Sequence, residues 1–198
     1  MPPAVSTRTR LLDAARFLFW EKGYAATGMA EILAESGAPK GSLYHYFPEG
    51  KEEIGEAALR LILENNGGRV GALMASEPNP AKMLRRYGGM MAEDMQASGF
   101  TAGCPIATIA LEAAPRSERL TAACLEVFSL WSRGIAHSIR HAGVAAPRAT
   151  ELADFIIASV EGALILTRVR MDTAPLLRAT EELARLVETE IQASRSVQ

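Results

Sequence analysis

Between Thr27 and Lys51 the chain reads TGMAEILAESGAPKGSLYHYFPEGK, two helical patterns separated by Gly37-Ala38-Pro39. No other stretch constrains the fold as much, because its punctuation says where both helices stop. Met29, Ile32 and Leu33 recur at spacings that give one apolar helix face, with Thr27 placed as N-cap and Glu31 in the turn that follows. Gly37 can take positive φ where the chain reverses, and Pro39 suits a first helical turn, so a second helix is expected from near Pro39 or Lys40. Pro48 stops it. Leu43 and Phe47, four apart, pin one side of this helix to a core. Two helices joined by so short a glycine-containing turn form a helix-turn-helix unit.

The other side of the second helix carries Lys40, Ser42, Tyr44, His45 and Tyr46, which offer an ammonium, hydroxyls and an imidazole. These are donors for phosphate oxygens and base edges, and the second helix of such a unit fits the major groove of DNA. Gly41 leaves bare backbone at the helix N-terminus, where the peptide N–H groups and the dipole favour an anion. Taken singly, the tyrosines read equally well as amphipathic surface aromatics and Lys40 as a solvated charge; the shared spacing is what favours DNA. Net charge does not decide the matter. The chain carries 21 basic and 23 acidic residues, and six and five of these fall at or before Lys51. The motif therefore has to carry the reading.

Leu11-Leu12-Asp13-Ala14-Ala15, Gly23-Tyr24-Ala25-Ala26-Thr27 and Gly37 through Phe47 resemble, in order and spacing, the DNA-binding domain of the TetR family of transcriptional regulators. The resemblance implies DNA contacts, largely to phosphates, at Thr27, Pro39, Lys40, Gly41, Tyr44, His45 and Lys51. The family usually has one residue fewer than this chain between Phe47 and Lys51, which leaves open whether Lys51 keeps its phosphate. That longer form, with Gly103-Cys104-Pro105-Ile106-Ala107-Thr108 downstream, is similar to the LmrA/YxaF-like branch.

The remaining chain reads as helix throughout, with no alternating strand pattern, so an all-α fold is expected. The division is a helix-turn-helix domain over residues 1–50 and a larger helical domain over residues 51–198 for effector binding and dimerisation. Residues 1 to 6 are expected to be a loose tail, and a first helix to run from Thr7 to Lys22, closed by Gly23. A long connecting helix begins at Lys51 and is expected to bend or break at Asn66-Gly67-Gly68. Further helices are expected over Pro80–Ala97, Pro105–Ala114, from Ser117 as cap to His141, over Pro147–Met171 and over Ala174–Ser194. Glycines within the helical patterns, Gly55, Gly88, Gly89, Gly134 and Gly162, point to close crossings or bends. At 48% hydrophobic residues, the chain has ample material for a core. Cys104 and Cys124 show no zinc or disulfide spacing, and MPPAVSTRTR lacks the apolar core of a signal peptide. A reducing cytoplasm is the expected home, with no membrane association and no cofactor.

Methionine adapts to ligands of several shapes, so Met90, Met91, Met95, Phe100, Phe128, Trp131 and Phe155 are the candidates to line an effector pocket. The family resemblance adds that such a pocket usually lies among the central helices. The last two helices carry long apolar faces, and Leu152, Ile156, Val160, Ala163, Leu183 and Val187 are the candidates for a four-helix dimer interface. His137 and His141 stand four apart, a metal spacing without an evident third ligand, and no metal site is assigned. No nucleophile with a neighbouring base stands out, so an enzyme is not expected. The reading is a homodimeric regulator, a repressor that releases double-stranded operator DNA on binding a small, largely apolar molecule. The competing reading is a helical small-molecule-binding or interaction module without operator recognition.

Overall fold

The computed structural model describes residues 6–101 and 103–196, with only the backbone of 62–68. The described residues form nine α-helices: α1 (Thr7–Lys22), α2 (Met29–Ser36), α3 (Ser42–Tyr46), α4 (Lys51–Ser76), α5 (Pro80–Ala97), α6 (Pro105–Ala113), α7 (Glu118–His141), α8 (Ala146–Arg170) and α9 (Ala174–Ser196). Among them there is no strand, and no helix is long and apolar enough to cross a membrane. The tail expected over residues 1 to 6 lies outside the described residues except for Ser6, whose hydroxyl caps α1 by accepting from Thr9 N at 3.1 Å.

Local chemistry accounts for most helix ends. Asn79 Oδ1 accepts from the amides of Ala81 and Lys82, both at 3.0 Å, ahead of Pro80 at the start of α5. Ser117 Oγ accepts from Leu120 N at 3.2 Å and starts α7. Asp172 Oδ1 accepts from Ala174 N at 3.1 Å and starts α9. The expected interruption of α4 does not occur: the backbone stays helical through Asn66, Gly67 and Gly68. Each interior glycine costs about 1 kcal/mol against alanine, but in an established helix each added residue also adds a hydrogen bond, and propagation wins.

The chain forms two compact units, one of residues up to 64 with 104–127, the other of residues 65–103 with 128–198. The division expected after residue 50 falls inside the first unit, which takes in the first half of α4, all of α6 and the start of α7. In that unit α1 packs on α2, α3 and α6. Its core is Leu11, Leu12, Ala15, Phe19, Ile32, Leu43, Phe47, Ile54, Ile106 and Leu120. Gly55 passes close to two of its neighbours: a Cβ there would lie 3.0 Å from both Tyr24 Cε2 and Leu120 Cδ2.

In the second unit α9 packs on α5 and α8. Leu176, Leu183, Ala184 and Val187 of α9 are buried, as are Leu84 and Met95 of α5 and Leu152, Ile156 and Leu164 of α8. At the rim of the α5–α9 crossing, Arg85 bonds Glu181 at 2.8 Å and Glu188 at 2.6 Å.

Candidate nucleic-acid interface

The helix-turn-helix forms as two helices about a tight turn, with three local adjustments to the expected arrangement. The cap of α2 is Gly28, not Thr27: Glu31 reaches back to Gly28 N at 3.4 Å, while Thr27 is 1% exposed and its hydroxyl donates to Gly23 O at 2.8 Å. Thr27 thus braces the loop before α2, and its hydroxyl is not presented to solvent. At the turn Gly37 sits at φ 57°, ψ 23°, where a glycine loses nothing. The second helix then begins at Ser42, later than Pro39 or Lys40, because Ser42 N and Oγ both donate to Pro39 O, at 2.9 and 2.7 Å, and close a turn first.

Helix α3 is held by Leu43 and Phe47, each 1% exposed, with the Arg8 guanidinium 5.4 Å from the Phe47 ring centroid. That anchoring leaves Pro39, Lys40, Gly41, Tyr44, His45 and Tyr46 exposed on one short segment, with Ser42 half-buried among them. Tyr44 is 64% exposed, and the rings of His45 and Tyr46 meet edge to face at 5.0 Å. A tyrosine this open gives up apolar burial unless something else covers it.

Lys51 is placed differently from the rest. Its Nζ donates to Ala25 O at 3.2 Å and sits 4.4 Å from the Tyr24 ring centroid. Partial burial lowers its pKa, against the opposing pull of the Glu112 carboxylate. Burial, with a smaller contribution from Glu52, pushes the Tyr24 phenol up to about 12. Glu112 of α6 accepts from Ala25 N at 2.6 Å. Arg119 of α7 pairs with Glu49, between α3 and α4, and reaches Glu56 at 3.5 Å. Sequence reading had no signal for these two residues, since their partners lie 87 and 70 positions away.

The candidates of the second unit divide as well. Met95 is buried, Met90, Met91, Phe100, Phe128 and Trp131 are half-buried, and the rings of Phe128 and Trp131 meet edge to face at 5.8 Å. Phe155 is 55% exposed and does not belong with an enclosed lining. A cleft of about 310 Å³ lies in the first unit, lined by Arg8, Glu53, Glu56 and Arg60 beside Phe47, and its charge does not suit an apolar effector. The six dimer candidates, Leu152, Ile156, Val160, Ala163, Leu183 and Val187, are all buried within the single chain. Buried there, they offer little surface to a second copy. The open apolar face of α8 is another one: Phe155, Ala158, Gly162, Ile165, Leu166 and Val169 recur at helical spacing and are exposed. Among the described residues no three His, Cys, Asp or Glu side chains cluster as a metal site.

Comparison with known proteins agrees with this geometry. A family model described as bacterial regulatory proteins, tetR family, matches residues 11–64, and one described as transcriptional regulator LmrA/YxaF-like, C-terminal domain, matches residues 80–182. The HTH-type transcriptional regulator YxaF of Bacillus subtilis (strain 168) is 33% identical over 181 residues, which are 91% of this chain and 95% of that one. LmrA of the same organism is 32% identical over 171 residues, 86% of this chain and 91% of that one. The crystal structure of the regulatory protein TetR from Rhodobacter sphaeroides matches with a TM-score of 0.81 at 27% identity, over 90% of this chain and 97% of that chain.

Proposed function

The chain belongs to the TetR family of bacterial transcriptional regulators, and from that membership we propose a homodimeric repressor released from its operator by a small, largely apolar molecule. It is a DNA-binding regulator, not an enzyme. The observation that carries the reading is the contrast along α3: Leu43 and Phe47 are buried while Lys40, Tyr44, His45 and Tyr46 stand in solvent. These four, with Pro39, Gly41 and Ser42, make the contacts to phosphates and base edges. Thr27 supports them from beneath through its bond to Gly23 O.

Two copies reading one operator need recognition helices roughly 34–36 Å apart. The exposed stripe on α8, from Phe155 to Val169, is the surface that supports pairing, because covering it removes apolar area from water about a two-fold axis. Met90, Met91, Met95, Phe100, Phe128 and Trp131 remain the lining for the effector; Phe155 moves to the dimer face. Helices α4 and α7 each begin in the first unit and end in the second, which gives a change around the effector a covalent route to the DNA-reading unit. Releasing most of the bound population takes a differential affinity of roughly 5 kcal/mol between the two states, and operator must weaken effector binding by the same factor.

The test is selection of duplexes from a random pool by the full-length protein, followed by binding of the selected duplex over a salt series. A repressor enriches an inverted repeat and binds it well above random DNA. A helical module without operator recognition gives only salt-sensitive binding with no preferred sequence, and that result rejects the proposal.

A further inference from the structure

The Ala25 peptide lies in the loop that leads into α2, and both of its hydrogen-bonding groups are taken by side chains from distant helices. Ala25 N donates to Glu112 Oε2 of α6 at 2.6 Å, and Ala25 O accepts from Lys51 Nζ of α4 at 3.2 Å. We propose that Glu112 and Lys51 together clamp this peptide and so set the operator-reading position of the helix-turn-helix, with Lys51 acting as an internal strut rather than a phosphate contact. The inference rests on the DNA-binding reading above.

Three further observations support the clamp. The loop lies tight against the carboxylate: a Cβ at Gly23 would lie 2.7 Å from Glu112 Oε1, and Gly23 sits at φ +92°, a backbone conformation that disfavours other residues at position 23. The Lys51 ammonium has a carbonyl on one side and the Tyr24 ring on the other, 4.4 Å from its centroid. To reach a phosphate it would have to leave both. The loop is also tied internally, by Thr27 Oγ1 to Gly23 O at 2.8 Å and Thr27 N to Tyr24 O at 3.2 Å. A displacement at Ala25 therefore carries to Gly28, the first residue of the α2 cap. Arg119, near the start of α7, pairs with Glu49 in the loop between α3 and α4. All of these residues belong to the first compact unit.

The two roles for Lys51 predict different salt dependence. A phosphate contact, when removed, lowers the slope of log affinity against log salt by roughly 0.9 for each protomer. A strut lowers affinity and leaves the slope where it was. Glu112 separates as cleanly by sign. A bystander carboxylate near DNA repels phosphate, so neutralising it tightens binding, whereas neutralising a positioning residue weakens it.

The experiment uses the full-length protein and the duplex that it selects from a random pool. Lys51→Met, Glu112→Gln, Glu112→Ala and the double variant Lys51→Met/Glu112→Ala are compared with the wild type by salt-series titration and thermal melting, with Lys40→Ala as the phosphate-contact control. The expected result is a loss on the order of tenfold for Lys51→Met and Glu112→Ala at an unchanged salt slope. Glu112→Gln, which keeps an acceptor oxygen, should lose less. The double variant should lose little more than the larger single loss, because both residues act on one peptide. Melting should move far less than affinity, and Lys40→Ala should lower the slope. A reduced slope for Lys51→Met, or tighter or unchanged binding for Glu112→Ala, overturns the inference. Failure of the wild type to select any duplex removes the DNA-binding reading itself, a separate outcome.

Discussion

Gly88 of α5 and Thr180 of α9 approach so closely that a Cβ at position 88 would lie 2.1 Å from Thr180 Oγ1 and 2.8 Å from its Cβ. The Thr180 hydroxyl has little freedom to yield, since it donates to Leu176 O at 3.0 Å and Leu177 O at 3.2 Å. Gly88→Ala should therefore destabilise the protein by about 2 kcal/mol net: overpacking costs about 1–3 kcal/mol or more, and the better helix propensity of alanine returns at most about 1. Urea unfolding measures it. The double variant Gly88→Ala/Thr180→Ala should recover part of the loss by removing the hydroxyl and methyl, and no recovery would place the strain elsewhere.

Tyr44→Phe and Lys40→Ala should weaken binding to the selected duplex, by roughly fivefold for the lost hydroxyl, while the melting temperature stays nearly unchanged. Both side chains are exposed, so little packing is lost. Leu43→Ala is the contrast, because a fully buried leucine removed from the core costs about 2–5 kcal/mol. If Tyr44→Phe unfolds the protein, the exposed face of α3 has been misassigned.

The helix-turn-helix was legible because its signals are local. Gly23, Gly37, Pro48 and the Leu43/Phe47 pair mark turns, stops and anchors within a few residues of the elements they control, and α1 spans the expected Thr7–Lys22. Thr27 misled because threonine is a good cap and the glycine after it is also acceptable; the loop's own bond from Thr27 Oγ1 to Gly23 O decided between them. The apolar faces of α8 and α9 were legible as faces but not by partner. Periodicity says that Ile156 and Leu183 are covered, and only the tertiary structure shows that the same chain covers them. Glu112 was invisible for a related reason, since a glutamate on an exposed helix turn looks the same whether or not a distant amide meets it.

The same distinction gives a test of the dimer face. Ile165→Arg and Val169→Arg, at positions 58% and 76% exposed, should leave a folded monomer that sediments at half the mass and loses operator affinity. Ile156→Arg and Leu183→Arg, at positions buried within the chain, should instead lose folding, because each places an unpaired charge in the core. A folded dimer from Val169→Arg would put the interface on another surface.

The last expectation concerns acid. Glu181 and Glu188 both have their pKa lowered from 4.5, chiefly by hydrogen bonds from the Arg85 side chain, across the α5–α9 crossing. A carboxylate with a depressed folded-state pKa stabilises the fold above its unfolded pKa, and the contribution is lost as pH falls through the folded value. The stabilisation is thus fully present at neutral pH and declines from about 4.5 downward. Arg85→Met should remove it. The variant should be less stable than the wild type at pH 7, and the gap between them should narrow as both are acidified below about 4. Because all three side chains are partly open to water, the difference should be modest and should shrink in high salt. Urea unfolding of both proteins across pH 3 to 7 makes the measurement. A gap that does not change with pH would mean that the Arg85 guanidinium does not stabilise the fold through its two carboxylates.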